Sequence, residues 1–121
     1  MKIIENRGGY IYAQNDNPYN FQEVIELAKE VASKCLAENQ TKVLVNLSNM
    51  RGKLQPMDKF NLGVQGAMIF RKVAQVAVVY DKSQIDGFAE TVAINRGMNT
   101  RIFSSLEAAT EWLGVNVDTS G

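Results

Sequence analysis

The chain has 121 residues, a length at which a single domain with its own core is the usual outcome. Thirteen basic residues balance thirteen acidic ones, and no run of Lys or Arg predicts a nucleic-acid groove. The sequence has no histidine, which excludes Ser-His-Asp and Cys-His catalysis and His-liganded zinc. We therefore expect a protein that binds rather than catalyses, with no metal and no cofactor.

Targeting signals and cysteine content indicate the compartment. No segment approaches the roughly 20 apolar residues that span a bilayer, and the N-terminus lacks a signal-peptide pattern. We therefore predict a cytoplasmic protein without an integral membrane segment. The single Cys35 excludes an intrachain disulfide, and its place on an apolar helical stripe predicts a structural role.

The first third of the chain predicts a hairpin followed by a long helix. Lys2–Glu5 and Tyr10–Ala13 are short strand-forming runs joined by a glycine turn, which favours antiparallel pairing. Asn20 and Glu23 have the spacing of a helix cap, so we predict a helix over Asn20–Glu38. Its apolar stripe has helical spacing and comprises Phe21, Val24, Ile25, Ala28, Val31, Ala32 and Cys35.

Two apolar, β-branched runs in the middle of the chain predict strands buried on both faces. These runs are Lys42–Leu47 and Val73–Tyr80, and such strands are typical of a parallel sheet covered by helices. A loop over Ser48–Gln55 follows the first run. Pro56 is favourable in the first turn of a helix, which we expect to extend to about Arg71.

The last third predicts a helix, a strand and a further helix. Ser83 and Asp86 have capping spacing for a third helix that ends near Arg96. Thr100–Phe103 is a short strand, and Ser104 with Glu107 has the spacing of a capping box for the last helix. We expect one domain over residues 1–114 and a loose tail over 115–121.

The predicted order of elements is ββαβαβαβα, which indicates the fold class. Helical crossovers between successive strands make those strands parallel. We therefore predict an α/β domain with a single mixed sheet, in which an N-terminal antiparallel hairpin is followed by largely parallel strands.

This pattern resembles the SpoIIAA-like domains, which are related to the STAS and SEC14 (CRAL-TRIO) folds. The residues that carry the resemblance follow the hairpin and long helix and comprise Val43–Ser48, Val76–Asp81 and the closing segment Thr100–Leu113. The resemblance covers nearly the whole chain and is more specific for architecture than for activity.

The resemblance implies two functions. The first is a non-enzymatic, regulatory interaction domain that acts through protein contacts. STAS-type anti-sigma-factor antagonists are switched by phosphorylation of a Ser, but the corresponding stretch Asn49–Asp58 contains no Ser or Thr, so no phosphoacceptor is carried over. The alternative is a small-ligand or lipid-binding module that uses the carboxyl edge of the strands or an apolar cleft, as SEC14-type proteins do.

Polar residues follow several of the predicted strands and form a candidate ligand site. Ligands of parallel sheets usually lie beyond the carboxyl ends of the strands. The candidates there are Asp16, Ser48, Asn49, Arg51, Lys53 and Asp81. Arg51 and Lys53, close to a helix N-terminus, favour a small anionic ligand. The alternative is that these are solvated loop and capping residues.

The second helix carries apolar residues on more than one side. We expect one face to cover the sheet, and it comprises Met57, Phe60, Val64, Ala67 and Met68. Leu62 and Ile69 then fall on roughly the opposite face, near Gly66, and predict an interface with a partner protein or a second copy, as in a homodimer. The alternative is that scattered apolar surface residues are ordinary or covered by a neighbouring helix.

Overall fold

The computed structural model describes residues 1–73 and 75–115. The strands are β1 (Lys2–Asn6), β2 (Ile11–Asn15), β3 (Lys42–Asn46), β4 (Gln75–Val79) and β5 (Thr100–Phe103). The helices are α1 (Phe21–Glu38), α2 (Pro56–Ile69), α3 (Phe88–Asn95) and α4 (Leu106–Leu113), with a 3₁₀ turn at Lys82–Gln84. The predicted order is confirmed. Apart from Val115, the predicted tail lies outside the described residues.

The five strands form one mixed sheet in which spatial order equals sequence order, β1-β2-β3-β4-β5. β1 pairs antiparallel with β2, and β2 to β5 are parallel. One row of the register runs through Ile11, Val43, Val76 and Thr100. The predicted fold class, including the N-terminal hairpin, is therefore confirmed.

Each face of the sheet has its own hydrophobic core, and different helices cover the two faces. On one face, strand residues such as Val43 and Val76 pack with buried residues of α1, α2 and α3. On the other face, Leu44 and Ala77 pack with Ala109 and Leu113 of α4. The parallel strands follow one another in sequence order, and helical crossovers between them have the same hand. Every crossover helix therefore lies on the same side of the sheet, so three helices share one face.

α1 follows its sequence signals closely. The Asn20 side chain accepts a hydrogen bond from the Glu23 backbone N–H at 3.0 Å, which is the predicted cap. Asn39 ends the helix in the left-handed region with φ 55°. The predicted stripe faces the core, where Ile25, Val31 and Cys35 are buried.

The orientation of α2 differs from the prediction. Met57, Phe60 and Met68, expected to cover the sheet, are instead among the exposed apolar residues. Leu62 and Ile69, expected on the outward face, are half-buried and pack against the core. The inward face also holds two glycines, Gly63 and Gly66, and the buried Ala67.

Close packing of α2 on α3 explains this orientation. α2 packs chiefly against α1 and α3 rather than on the strands. A Cβ atom at Gly63 would lie 2.8 Å from the Ala89 carbonyl oxygen and from Val92. Only a glycine permits this approach, so the glycine side of α2 must face inward.

Two predicted helix starts are wrong by a few residues. Ser83 lies in the 3₁₀ turn, and α3 begins after Gly87, whose φ of 82° breaks the helical path. Asp86 nevertheless accepts a hydrogen bond from the Phe88 N–H at 3.0 Å. The last helix is capped by Ser105 rather than Ser104, since the Ser105 hydroxyl accepts from the backbone of the third helical residue.

The open edge of the sheet at β5 is partly capped by a side chain. The Glu90 carboxylate on α3 accepts a hydrogen bond from the Ile102 N–H at 2.8 Å. This N–H belongs to an edge strand whose free backbone groups would otherwise be available to another chain.

The two inward glycines of α2 should respond differently to alanine. We expect Gly63→Ala to lower the free energy of unfolding by about 1–3 kcal/mol, because the added methyl group meets rigid backbone. Gly66→Ala is the matched control: its Cβ would lie 3.6 Å from the flexible Met98 side chain. Since alanine favours helix by about 1 kcal/mol, this variant should be unchanged or more stable. Urea unfolding measures both, and equal effects would contradict the close packing.

The thiol of Cys35 should be inert in the native protein. Burial, with a smaller contribution from Glu38, raises the pKa of this thiol from 9.0 to about 11. Because the neutral thiol is favoured in the folded state, its contribution to stability is complete below pH 9 and is lost as the pH rises towards 11. We expect negligible reaction with a thiol reagent at pH 8 and rapid reaction in urea. Fast labelling of the native protein would contradict this prediction.

Candidate functional site

The structure brings together some of the polar residues predicted at the carboxyl edge of the strands. Asp16 directly follows β2, and the Asn49 side-chain amide donates to its carboxylate at 3.5 Å. Ser48 follows β3, and its hydroxyl donates to the Asn46 side-chain oxygen at 2.6 Å. Asp16, Ser48 and Asn49 therefore lie in one polar cluster.

Three residues that the sequence analysis missed complete this cluster. The Asn46 amide donates to the Tyr12 hydroxyl at 2.8 Å, and that hydroxyl donates to the Gln14 side-chain oxygen at 2.6 Å. The Gln14 amide in turn donates to both carboxylate oxygens of Asp16 at 3.0 Å. The sequence signal for this cluster was Asn46, a polar residue at the end of the otherwise apolar run of β3. Because these hydrogen bonds link β2 to β3, the cluster stabilises the sheet at the carboxyl ends of these two strands.

The predicted anion site at Arg51 and Lys53 stays a prediction. Both side chains are exposed, and neither enters an ion pair with the residues that the structure describes. At the adjacent N-terminus of α2, the Asp58 carboxylate accepts a hydrogen bond from the Gln55 N–H at 3.0 Å. The chain thus supplies its own negative charge at this helix end.

Asp81 lies apart from the Asp16 cluster. β3 separates the strands that precede these two residues, and neighbouring strands lie about 4.8 Å apart. The Asp81 carboxylate accepts from the Ser83 hydroxyl at 2.7 Å and caps the 3₁₀ turn. Within residues 1–73 and 75–115, no group of three or more Cys, Asp or Glu side chains could hold a metal ion.

An apolar stripe on α2 faces solvent. Met57, Phe60, Val64 and Met68 recur at helical spacing, and the centre of this stripe lies opposite Gly66 on the helix. Met57 is 67% exposed, Phe60 37% and Met68 63%. The Arg96 guanidinium, at the end of α3, lies 5.5 Å from the centre of the Phe60 ring. We call the four residues of this stripe the outward face of α2.

A cavity of about 150 Å³ lies beneath the inward face of α2. The sheet contributes Val45, Val78 and Ile102 to its lining, α1 contributes Val24 and Ala28, and α2 contributes Leu62 and Gly66. Its walls are almost entirely apolar, and it is partly open to solvent. The sequence analysis offered an apolar cleft as an alternative but could not place it, because the position of the cavity depends on how far α2 stands from the sheet.

Tyr80 lines the cavity and is 7% exposed. Its hydroxyl has no hydrogen-bonding partner among the described residues, and neither has the hydroxyl of Tyr19. Burial, with a further contribution from Asp81, raises the pKa of Tyr80. Burial, followed by the nearby Asp58 and Tyr80, raises the pKa of Tyr19 to about 12. An unpaired buried hydroxyl costs about 1–3 kcal/mol.

Comparison with known proteins identifies the family. The SpoIIAA-like family model matches residues 15–114. The chain belongs to the SpoIIAA-like family. The predicted resemblance is thus confirmed, and the match covers most of the chain, including both faces of α2 and the residues that line the cavity.

A solved structure resembles this SpoIIAA-like chain in fold. It is the crystal structure of an anti-sigma factor antagonist from Mycobacterium paratuberculosis, with a TM-score of 0.63 and 11% sequence identity. The similarity covers 94% of this chain and 93% of the antagonist. Among curated proteins, none matches the sequence significantly. No helix in the described part of the chain is long and apolar enough to cross a membrane.

The polar cluster should behave as a structural element. We expect Asn46→Ala to lower the free energy of unfolding by about 1–3 kcal/mol, because Asn46 is buried and its loss removes a hydrogen bond to the Tyr12 hydroxyl and leaves the Ser48 N–H without its acceptor. Ser48→Ala, at an exposed position, should change it by no more than about 0.5 kcal/mol. Urea unfolding compares the two variants. A stable Asn46→Ala variant would contradict a structural role.

Proposed function

We propose that this SpoIIAA-like protein is a non-enzymatic interaction domain of STAS type that works in the cytoplasm. It binds another protein, or a second copy of itself, through the outward face of α2. The observation that carries the proposal is the exposure of Met57, Phe60 and Met68 on one side of a helix whose other side already packs into the core.

The composition of this surface supports a protein partner. Met, aromatic residues and Arg are enriched in the centres of protein interfaces, and the surface combines two Met, Phe60 and the adjacent Arg96. Burial of each Met or Phe side chain contributes about 1.5–3 kcal/mol relative to full exposure. Since the fold does not use these side chains to fill its core, their apolar surface is available to a partner.

The structural neighbour supports the same kind of activity. An anti-sigma factor antagonist, as the structural neighbour is named, acts against another protein. The shared fold is the reason to extend protein binding to this chain. A phosphorylation switch is not part of the proposal, because Asn49–Asp58 contains no Ser or Thr.

The interface role predicted for Leu62, Gly66 and Ile69 remains a prediction. All three residues are partly exposed, although Leu62 and Ile69 also pack against the core. A partner that contacts the outward face of α2 does not require them.

Matched lysine substitutions test the proposed surface. Met68 and Leu36 are similarly exposed, at 63% and 67%, and both lie near the C-terminal end of a helix, where Lys is favourable. We expect Met68→Lys to weaken binding more than tenfold, because a charge replaces apolar contact area, whereas Leu36→Lys should bind normally. Light scattering over a concentration series measures self-association, and photo-cross-linking followed by titration measures a purified partner.

Stability serves as the control in this comparison. Both variants should unfold at the wild-type urea concentration, so that a loss of binding is not a loss of folding. The proposal is wrong if Met68→Lys associates as tightly as the wild type, or if Leu36→Lys is equally impaired.

A further inference from the structure

The basic residues around α2 indicate what kind of partner its outward face binds. We propose that this partner is an acidic amphipathic helix of another protein, rather than a second copy of this chain. This inference rests on the proposed function and adds the chemistry of the partner to it. Five exposed cations surround the outward face of α2, and we call them the basic rim: Arg51, Lys53, Arg71, Lys72 and Arg96.

Charge is distributed unevenly along this neutral chain. Residues 51–72, which include α2, hold five basic residues and one acidic residue, a net charge of +4, so the other residues together carry −4. Two acidic groups at α2 already have partners: Asp58 accepts from the Gln55 N–H, and Asp86 pairs with Lys59 at 2.6 Å. The basic rim forms no ion pair with the described residues, and its charge is therefore available to a partner.

The positions of these cations match a helix laid along α2. Met57 and Met68 mark the ends of the apolar stripe and lie about 16 Å apart along the helix axis. The basic rim has two residues before this stripe in the chain and two after it, and Arg96 lies beside the Phe60 ring. A helix with apolar residues at intervals of three and four, and with Glu or Asp towards both ends, would bury the stripe and pair the cations.

Arg51 and Lys53 are not explained by the stability of α2. Positive charge is favourable near the C-terminus of a helix and unfavourable near its N-terminus. Arg71 and Lys72 follow the end of α2 and therefore suit the fold, whereas Arg51 and Lys53 precede its beginning. In this proposal, the anionic group predicted at Arg51 and Lys53 is a carboxylate of the partner helix.

Charge repulsion disfavours a second copy as the partner. In a dimer with two-fold symmetry, the same surface of each copy faces the other. Pairing through the outward face of α2 would bring two basic rims together without any intervening carboxylate to neutralise them. Like charges that meet across an interface suppress such pairing, so the surface suits a partner of opposite charge.

Two designed peptides that differ only in charge test this inference on the intact protein. Each has about 20 residues, long enough to form a helix, with Leu at helical spacing on one side and Ala and Gln elsewhere. One peptide carries Glu at both ends and the other carries Lys. We expect the acidic peptide to bind about tenfold more tightly or better, since each exposed ion pair contributes a factor of about 1.5 to 5. Fluorescence anisotropy measures both affinities, and added salt should reduce the preference.

Charge reversal on the protein is the matching test. Lys53→Glu and Lys72→Glu each reverse one cation, at opposite ends of the stripe. Each should bind the acidic peptide about two- to fivefold more weakly and the basic peptide more tightly than the wild type does. Arg101→Glu is the matched control, because it makes the same change of charge beside Ala77, on the opposite face of the sheet. It should bind both peptides as the wild type does, and urea unfolding checks that all three variants are folded.

Four outcomes would overturn the inference. Equal binding of the two peptides would show that the charge of the basic rim does not select the partner. Equal binding of the acidic peptide by Met68→Gln would show that the apolar stripe does not take part. A wild-type protein that binds neither peptide contradicts an acidic helix as the partner. Tighter binding to vesicles of phosphatidylcholine and phosphatidylglycerol than to the acidic peptide would assign the surface to a membrane.

Self-association separates this inference from the proposed function. A dimer in light scattering that Met68→Lys dissociates would support the outward face of α2 as a protein-binding surface and refute the acidic partner. Conversely, an acidic peptide that binds Arg101→Glu as weakly as it binds Lys53→Glu would place the contact away from α2 and contradict both.

Discussion

The sequential order of the strands is the constraint on which the rest of the structure depends. Because each crossover returns to the same side, α1, α2 and α3 must share one face of the sheet. Three packed helices need about 16–20 Å between the outer axes, whereas four strands offer about 14 Å between the outer strands. The middle helix therefore cannot settle fully on the strands and packs instead on its two neighbours.

The position of α2 explains three features that otherwise look unrelated. Its close contact with α3 requires Gly63, and this requirement fixes which side of the helix is turned inward. The space between the helix and the sheet becomes the cavity. The side turned outward carries Met57 and Met68, which have no core left to fill. The candidate protein-binding surface and the cavity thus lie on the two sides of one displaced helix.

The sequence predicted those elements whose signals are local. α1 has a cap and a single apolar stripe, and the order of strands and helices led directly to the mixed sheet. The orientation of α2 was not predictable from periodicity, since Leu62 and Ile69 on one side and Met57 and Met68 on the other are equally apolar. The deciding fact was the distance from Gly63 to a residue 26 positions later, Ala89.

In the candidate sites, too, some features were predictable from the sequence and others emerged only from the structure. The gathering of Asp16 and Asn49 followed from the parallel topology, because adjacent strands end at the same edge. Asn46 was hidden inside an apolar run, so its role in the polar cluster emerged only from the hydrogen bonds. Tyr80 likewise follows an ordinary strand, and only the structure shows that its hydroxyl is buried without a hydrogen-bonding partner among the described residues.

The hydrogen bond from the Ile102 N–H to Glu90 affects how copies of this protein can associate at high concentration. A domain that presents an apolar helix to solvent risks drawing copies of itself together by chance, and an uncapped sheet edge would turn such an encounter into a growing stack of strands. The carboxylate on α3 occupies a backbone group that an incoming strand would need. At this edge of the sheet, the chain therefore offers one backbone group fewer for pairing with a strand of a second copy.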